Sequence, residues 1–79
     1  MKFNTKKLLK EFDENTIEKV LKLSDLTDCE YWVLYYSIIK KRMVQNTCEK
    51  LSISESQYYI IQKIALLKVE YTFKQIIKI

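Results

Sequence analysis

The chain has 79 residues, 48% of them hydrophobic, and 14 basic against 10 acidic side chains give a formal net charge of +4. A chain of that length makes one small domain with a thin core, and its apolar content excludes a disordered polymer. The positive charge permits an anionic partner such as nucleic acid without requiring one. Gly, Pro and His are all absent. Gly supplies the positive φ of hairpin turns and Pro interrupts helices, so a chain lacking both is expected to be all-α: a small helical bundle. Cys29 and Cys48 show no CxxC spacing and have no His to join them, so they read as small buried hydrophobes in a reducing compartment; no metal or cofactor is expected. The opening MKFNTKK lacks the apolar stretch of a signal peptide, and the longest apolar run, YWVLYYSII, is too short to span a bilayer. The expectation is a cytoplasmic chain with no membrane attachment.

In chain order, NTKKLLKEF places Leu8, Leu9 and Phe12 at helical spacing behind a cap at Asn4 or Thr5. DENTIEKVLKL repeats the signal, with Asn15 as the cap, Glu18 three residues on, and Ile17, Val20 and Leu21 as the stripe. In LTDCEYWVLYYSIIKK, Thr27 and Glu30 form a capping box, Leu26 and Tyr31 a hydrophobic staple, and Val33, Leu34, Ser37 and Ile38 one face. Lys40, Lys41 and Arg42 fall at its C-terminal end, where cations suit the helix dipole. MVQNTCEKL is a short helix of roughly two turns. SIS separates it from the last helix, which opens with a second capping box, Ser54 and Gln57, and a staple, Ile53 and Tyr58, and then runs uninterrupted to the C-terminus. Residues 1–25 are expected to pack as a helical segment on a core built by residues 26–79, one compact domain in all.

A short helix, a three-residue turn and a capped longer helix have the spacing of a helix-turn-helix, in which the second helix is aimed into the major groove of DNA. Cys48 is small enough to let the two helices approach, Leu51 and Ile53 can plug the angle between them, and Tyr58, Ile61, Ala65 and Val69 face inward. Residues 26 to 69 resemble, without a gap, the fourth conserved region of bacterial sigma-70-type factors and the small phage transcriptional regulators built on that module. The resemblance rests on Leu26, Thr27, Glu30, Val33, Leu34, Glu49, Leu51, Ile53, Ser54, Ile61, Ala65, Leu66, Lys68 and Val69. It implies a transcriptional regulator that recognises duplex DNA through the helix opening at Ser54, alone or alongside RNA polymerase. Glu55, Ser56, Gln57, Tyr59, Gln62 and Lys63 are then the residues facing bases or phosphates. Gln57 or Gln62 can pair with an adenine edge, Lys63 with guanine or phosphate, and Glu55 can accept from cytosine N4. Lys40, Lys41 and Arg42 can touch phosphates, which competes with their reading as a solvated helix end.

The chain departs from that family in several places. The turn at residues 40 to 43 usually carries Gly and then a Ser or Thr cap, and here reads KKRM. Ser52 stands where Gly is common, and Thr47 where a buried aliphatic residue is usual. Positions 31, 32 and 35, commonly charged, are Tyr31, Trp32 and Tyr35; the last two read as buried packing. The final helix carries two apolar stripes. One is Tyr58, Ile61, Ala65, Val69 and Phe73; the other is Ile60, Ile64, Leu67 and Tyr71. Only one can pack into the core of a helix-turn-helix. The N-terminal helices, or the tail with Phe73, Ile76, Ile77 and Ile79, can supply an internal cover for the Trp32 face, and a homodimer seam suits the stripe that starts at Ile60. The competing function is a protein-interaction module, an inhibitor or adaptor that keeps the fold and binds protein through its apolar helix faces. With no His, no clustered carboxylates, no phosphate loop and no nucleophile spaced to a base, an enzyme is not expected.

Overall fold

The computed structural model describes residues 4–76, and among these five α-helices and no strand are found. They are α1 (Thr5–Lys10), α2 (Glu14–Leu23), α3 (Asp28–Leu34), α4 (Val44–Leu51) and the 22-residue α5 (Glu55–Ile76), with a π turn over Tyr35–Ile39 extending α3. The chain is an all-α bundle with a long C-terminal helix, as its composition predicts. No described helix is long and apolar enough to cross a membrane.

The helix starts follow the local chemistry. The side-chain oxygen of Asn4 accepts from the Lys7 backbone N–H at 3.0 Å, so Asn4 rather than Thr5 caps α1. Both predicted capping boxes form. Glu30 N–H donates to the Thr27 hydroxyl at 3.2 Å while Thr27 N–H donates to the Glu30 carboxylate at 2.9 Å. Gln57 N–H donates to the Ser54 hydroxyl at 3.1 Å and Ser54 N–H to the Gln57 side-chain oxygen at 2.9 Å. The start of α2 differs from expectation: Asp13 occupies the cap position and Asn15 lies inside the helix. The Thr16 hydroxyl, first among several contacts, holds the Asp13 carboxyl below its ordinary range. A carboxylate at that position also suits the positive end of the helix, which a neutral Asn15 would do less well.

The ends of α2 and α4, and the turn that follows the π segment, need left-handed backbone in a sequence without glycine. Asp25, Lys41 and Ser52 take it, with φ of 53°, 53° and 56°. For an L-residue this costs about 1–2 kcal/mol. At Ser52 the cost is offset by a closing pair of hydrogen bonds, Ile53 N–H to the Cys48 carbonyl at 3.0 Å and Ser52 N–H to Glu49 at 3.4 Å, the pattern that ends many helices. At Lys41 the π turn closes differently: Lys40 N–H reaches the Tyr35 carbonyl at 3.1 Å and Arg42 N–H reaches Tyr36 at 2.9 Å. Two of the three left-handed residues thus fall where the resemblance expects glycine, and the turns persist without it.

Side chains pack in two clusters. The larger joins Leu9 of α1 and Ile17, Val20 and Leu21 of α2 to Leu34, Ile38 and the Ala65–Val69–Phe73 stripe of α5. Phe12 adds a ring contact to Phe73 at 5.8 Å between centroids. The smaller gathers Val33, Cys48 and Tyr58, with Val44, Leu51, Ile53 and Ile61 against them. It ties α4 to the first turns of α5, so the two helices do not run on as one rod. Both cysteines are free, and burial pushes the Cys48 thiol up. Thr47 is fully buried, and its hydroxyl finds no hydrogen-bond partner among the described residues. Ile76 is exposed, and Ile77 and Ile79 lie outside the described residues; the N-terminal helices and Phe73 join the larger cluster, and the Trp32 side chain stays partly exposed without the expected cover.

Candidate nucleic-acid interface

The residues expected to face DNA fall on the first turns of α5, beyond the left-handed corner at Ser52, and on the basic turn after the π segment, and the two sets border different grooves. Beyond the corner, Glu55, Ser56 and Gln57 are all exposed. Tyr58 turns inward and is buried at 2%. Burial pushes its hydroxyl above the ordinary tyrosine value, partly offset by the hydroxyl of Ser37. Tyr59 and Lys63 are exposed and Gln62 is half-buried. These three line a groove whose opposite wall is the start of α1, Asn4 to Lys6. The leading turn of α5 is therefore open on all the positions named, while the second turn is flanked by another helix of the same chain. Lys6, which carries a positive charge to that groove, had no signal in sequence, because its position depends on how α1 docks.

The two glutamines are already engaged. The side-chain oxygen of Gln57 belongs to the cap. A two-point pairing with an adenine edge needs both the oxygen and the amide nitrogen, so Gln57 would have to surrender its cap to make it. The Gln62 amide nitrogen donates to the Tyr58 hydroxyl at 3.4 Å, a long bond that is easily exchanged.

The basic turn makes more contacts than a bare helix end. Lys40, Lys41 and Arg42 are exposed, yet the Lys40 ammonium lies 5.7 Å from the centre of the Tyr35 ring and the Arg42 guanidinium 5.4 Å from that of Tyr36. Lys50, from α4, stands 5.5 Å from the Tyr36 ring centre. Such contacts hold cations over ring faces at about 0.5–1 kcal/mol each when exposed. Lys41 instead borders a groove between the basic turn and the α1–α2 junction, with Lys10 and Glu14. Sequence reasoning missed Lys50; only the folded approach of α4 to the π turn brings it to the ring that Arg42 also meets.

Trp32 departs from the packing expected of it. It stacks on Tyr36 at 5.7 Å and meets Tyr35 edge-on at 5.2 Å, but remains 40% exposed. The reason is the division of labour along α3. Leu34 and Ile38 face the N-terminal helices, Val33 faces α4 and α5, and no helix is left for the third side. Tyr35 is half-buried in the same ring group.

One ion pair links α3 to α5: the Lys68 ammonium lies 2.8 Å from the Glu30 carboxylate that also completes the α3 cap. Burial raises the Glu30 carboxyl, but Lys68 and the Thr27 N–H outweigh it and hold the group below its ordinary value. The predicted stripe Ile60, Ile64, Leu67 and Tyr71 is bare, with exposures of 60%, 43%, 56% and 66%.

Comparison of the chain with protein-family models, with curated proteins and with solved structures finds no match.

Proposed function

We propose that the chain is a DNA-binding transcriptional regulator of the sigma-region-4-like, helix-turn-helix kind found in phages and mobile elements, reading duplex DNA with the start of α5. The observation that carries this reading is the corner at Ser52. A left-handed residue ends α4, the Ser54–Gln57 cap restarts the chain as α5, and Glu55, Ser56 and Gln57 stand exposed at the positive end of a long helix. In this reading Glu55 accepts from cytosine, Ser56 and the free amide nitrogen of Gln57 donate to base or phosphate acceptors, and Tyr59 donates to phosphate. Lys40, Lys41, Arg42 and Lys50 supply the non-specific attraction. Gln62 and Lys63 sit one turn further in than Tyr59, along the same groove beside α1, and contribute less. Action beside RNA polymerase belongs to the same reading.

A second reading, the protein-interaction module, is favoured by one observation, the bare Ile60–Tyr71 stripe, which groove binding to DNA does not use. Titrating a duplex of mixed sequence into isotopically labelled protein, with backbone amide shifts followed by NMR at low salt, separates the two. The DNA reading expects shifts concentrated at residues 55–59, with a second set at 40–42 and Lys50. The absence of shifts at low salt, or shifts confined to the Ile60–Tyr71 face, would overturn it.

A further inference from the structure

Ile60, Ile64, Leu67 and Tyr71 follow one another at steps of four, three and four residues. Apolar residues alternating at three and four form a seam along which a second helix can lie over its whole length. Here the seam is exposed and stands as a ridge: Leu67 borders one groove with Lys63 and Glu70 and another with Ile64, Lys68 and Tyr71. Charge flanks the seam unequally. Lys63 and Glu70 lie on one flank, and neither makes an ion pair among the described residues. Lys68 lies on the other flank and is bound to Glu30.

We propose that the occupant of this seam is a second copy of the chain, with its α5 antiparallel and the two-fold axis passing between Ile64 and Leu67. In that register Ile64 meets the partner's Leu67, Ile60 meets the partner's Tyr71, and Lys63 faces the partner's Glu70, each contact occurring twice. The parallel arrangement sets Lys63 against the partner's Lys68, already paired with Glu30, and Glu70 against the uncharged Gln75, so only the antiparallel register matches opposite charges. Exposed ion pairs contribute little energy by themselves; the apolar seam supplies affinity and the charges supply direction. The inference stands apart from the DNA reading, except that it assigns Lys63 to the pair and not to phosphate.

Sedimentation equilibrium on the full chain tests it, with circular dichroism to confirm that each variant is folded. The wild type is expected to dimerise. Lys63→Glu alone and Glu70→Lys alone each place like charges together at two sites and are expected to weaken association about tenfold, a change of about 1.4 kcal/mol. The double variant Lys63→Glu/Glu70→Lys reverses both partners and is expected to recover wild-type affinity. A wild type that stays monomeric at all concentrations overturns the proposal. So does a dimer indifferent to the single reversals, or one that the double reversal fails to restore.

Discussion

The two faces of α5 have nearly the same composition and opposite fates. Tyr58, Ala65, Val69 and Phe73 are buried, and the stripe Ile60, Ile64, Leu67 and Tyr71 lies in the open. What separates them is placement: α1, α2, α3 and α4 all pack on one side of the 22-residue helix, while Leu23 and Trp32 of the same helices stay exposed. Apolar content therefore does not tell which face of a helix holds the molecule together and which is free to hold something else. Position relative to the neighbouring helices tells it.

A matched pair of substitutions breaks the comparison most sharply. Val69→Asp puts a charge at a fully buried site in the larger cluster. An unpaired buried carboxylate costs several kcal/mol, of order 4, which rivals the whole stability of a small domain. Thermal melts by circular dichroism should show a chain that does not fold at room temperature. Leu67→Asp, two residues earlier on the bare face, should keep the helicity and change monomer stability by no more than about 0.5 kcal/mol. An equal loss at both sites would mean that the bare stripe is part of the core.

The Glu30–Lys68 ion pair ties α3 to α5 at the edge of the packed face. Because the Glu30 carboxyl titrates lower in the folded chain than in the unfolded one, its contribution is complete above the ordinary carboxylate value and is lost as pH falls through the lower folded value. Melts of wild type and Glu30→Gln should therefore differ at pH 7, with the wild type more stable, and converge at strongly acidic pH. A gap independent of pH would contradict a role for the charged Glu30 carboxylate in stability. A further expected change concerns neither face. Thr47→Val removes a buried hydroxyl without a partner and should raise stability by about 1 kcal/mol in denaturant titration, leaving association untouched.

Much of the fold is legible in the residues because its signals are local. The Thr27–Glu30 and Ser54–Gln57 boxes each lie within four residues, and both form as written. The split of α5 into two stripes is also legible, since it needs only the helical period. What could not be read depends on contacts distant in sequence. Lys50 joins Arg42 over Tyr36 only because α4 folds back beside the π turn, and the π turn itself has no simple residue code. Lys68 meets Glu30 from 38 residues away. Trp32 looked like core because it is large and apolar, yet both available packing sides of α3 were already taken by Leu34 and Val33. Asp25, Lys41 and Ser52 show why absent glycines misled less than they could have: left-handed turns cost about 1–2 kcal/mol without glycine, and closing hydrogen bonds repair part of that.

The most direct test of the function proposed for α5 and the basic turn is the affinity of the wild-type chain for a labelled duplex, measured by fluorescence anisotropy across a salt series. Contacts from Lys40, Lys41, Arg42 and Lys50 to phosphate predict binding at low salt whose logarithm falls steeply and linearly with the logarithm of salt, with a slope of about −3 to −4. A slope near zero, or no binding at the lowest salt, would contradict the account.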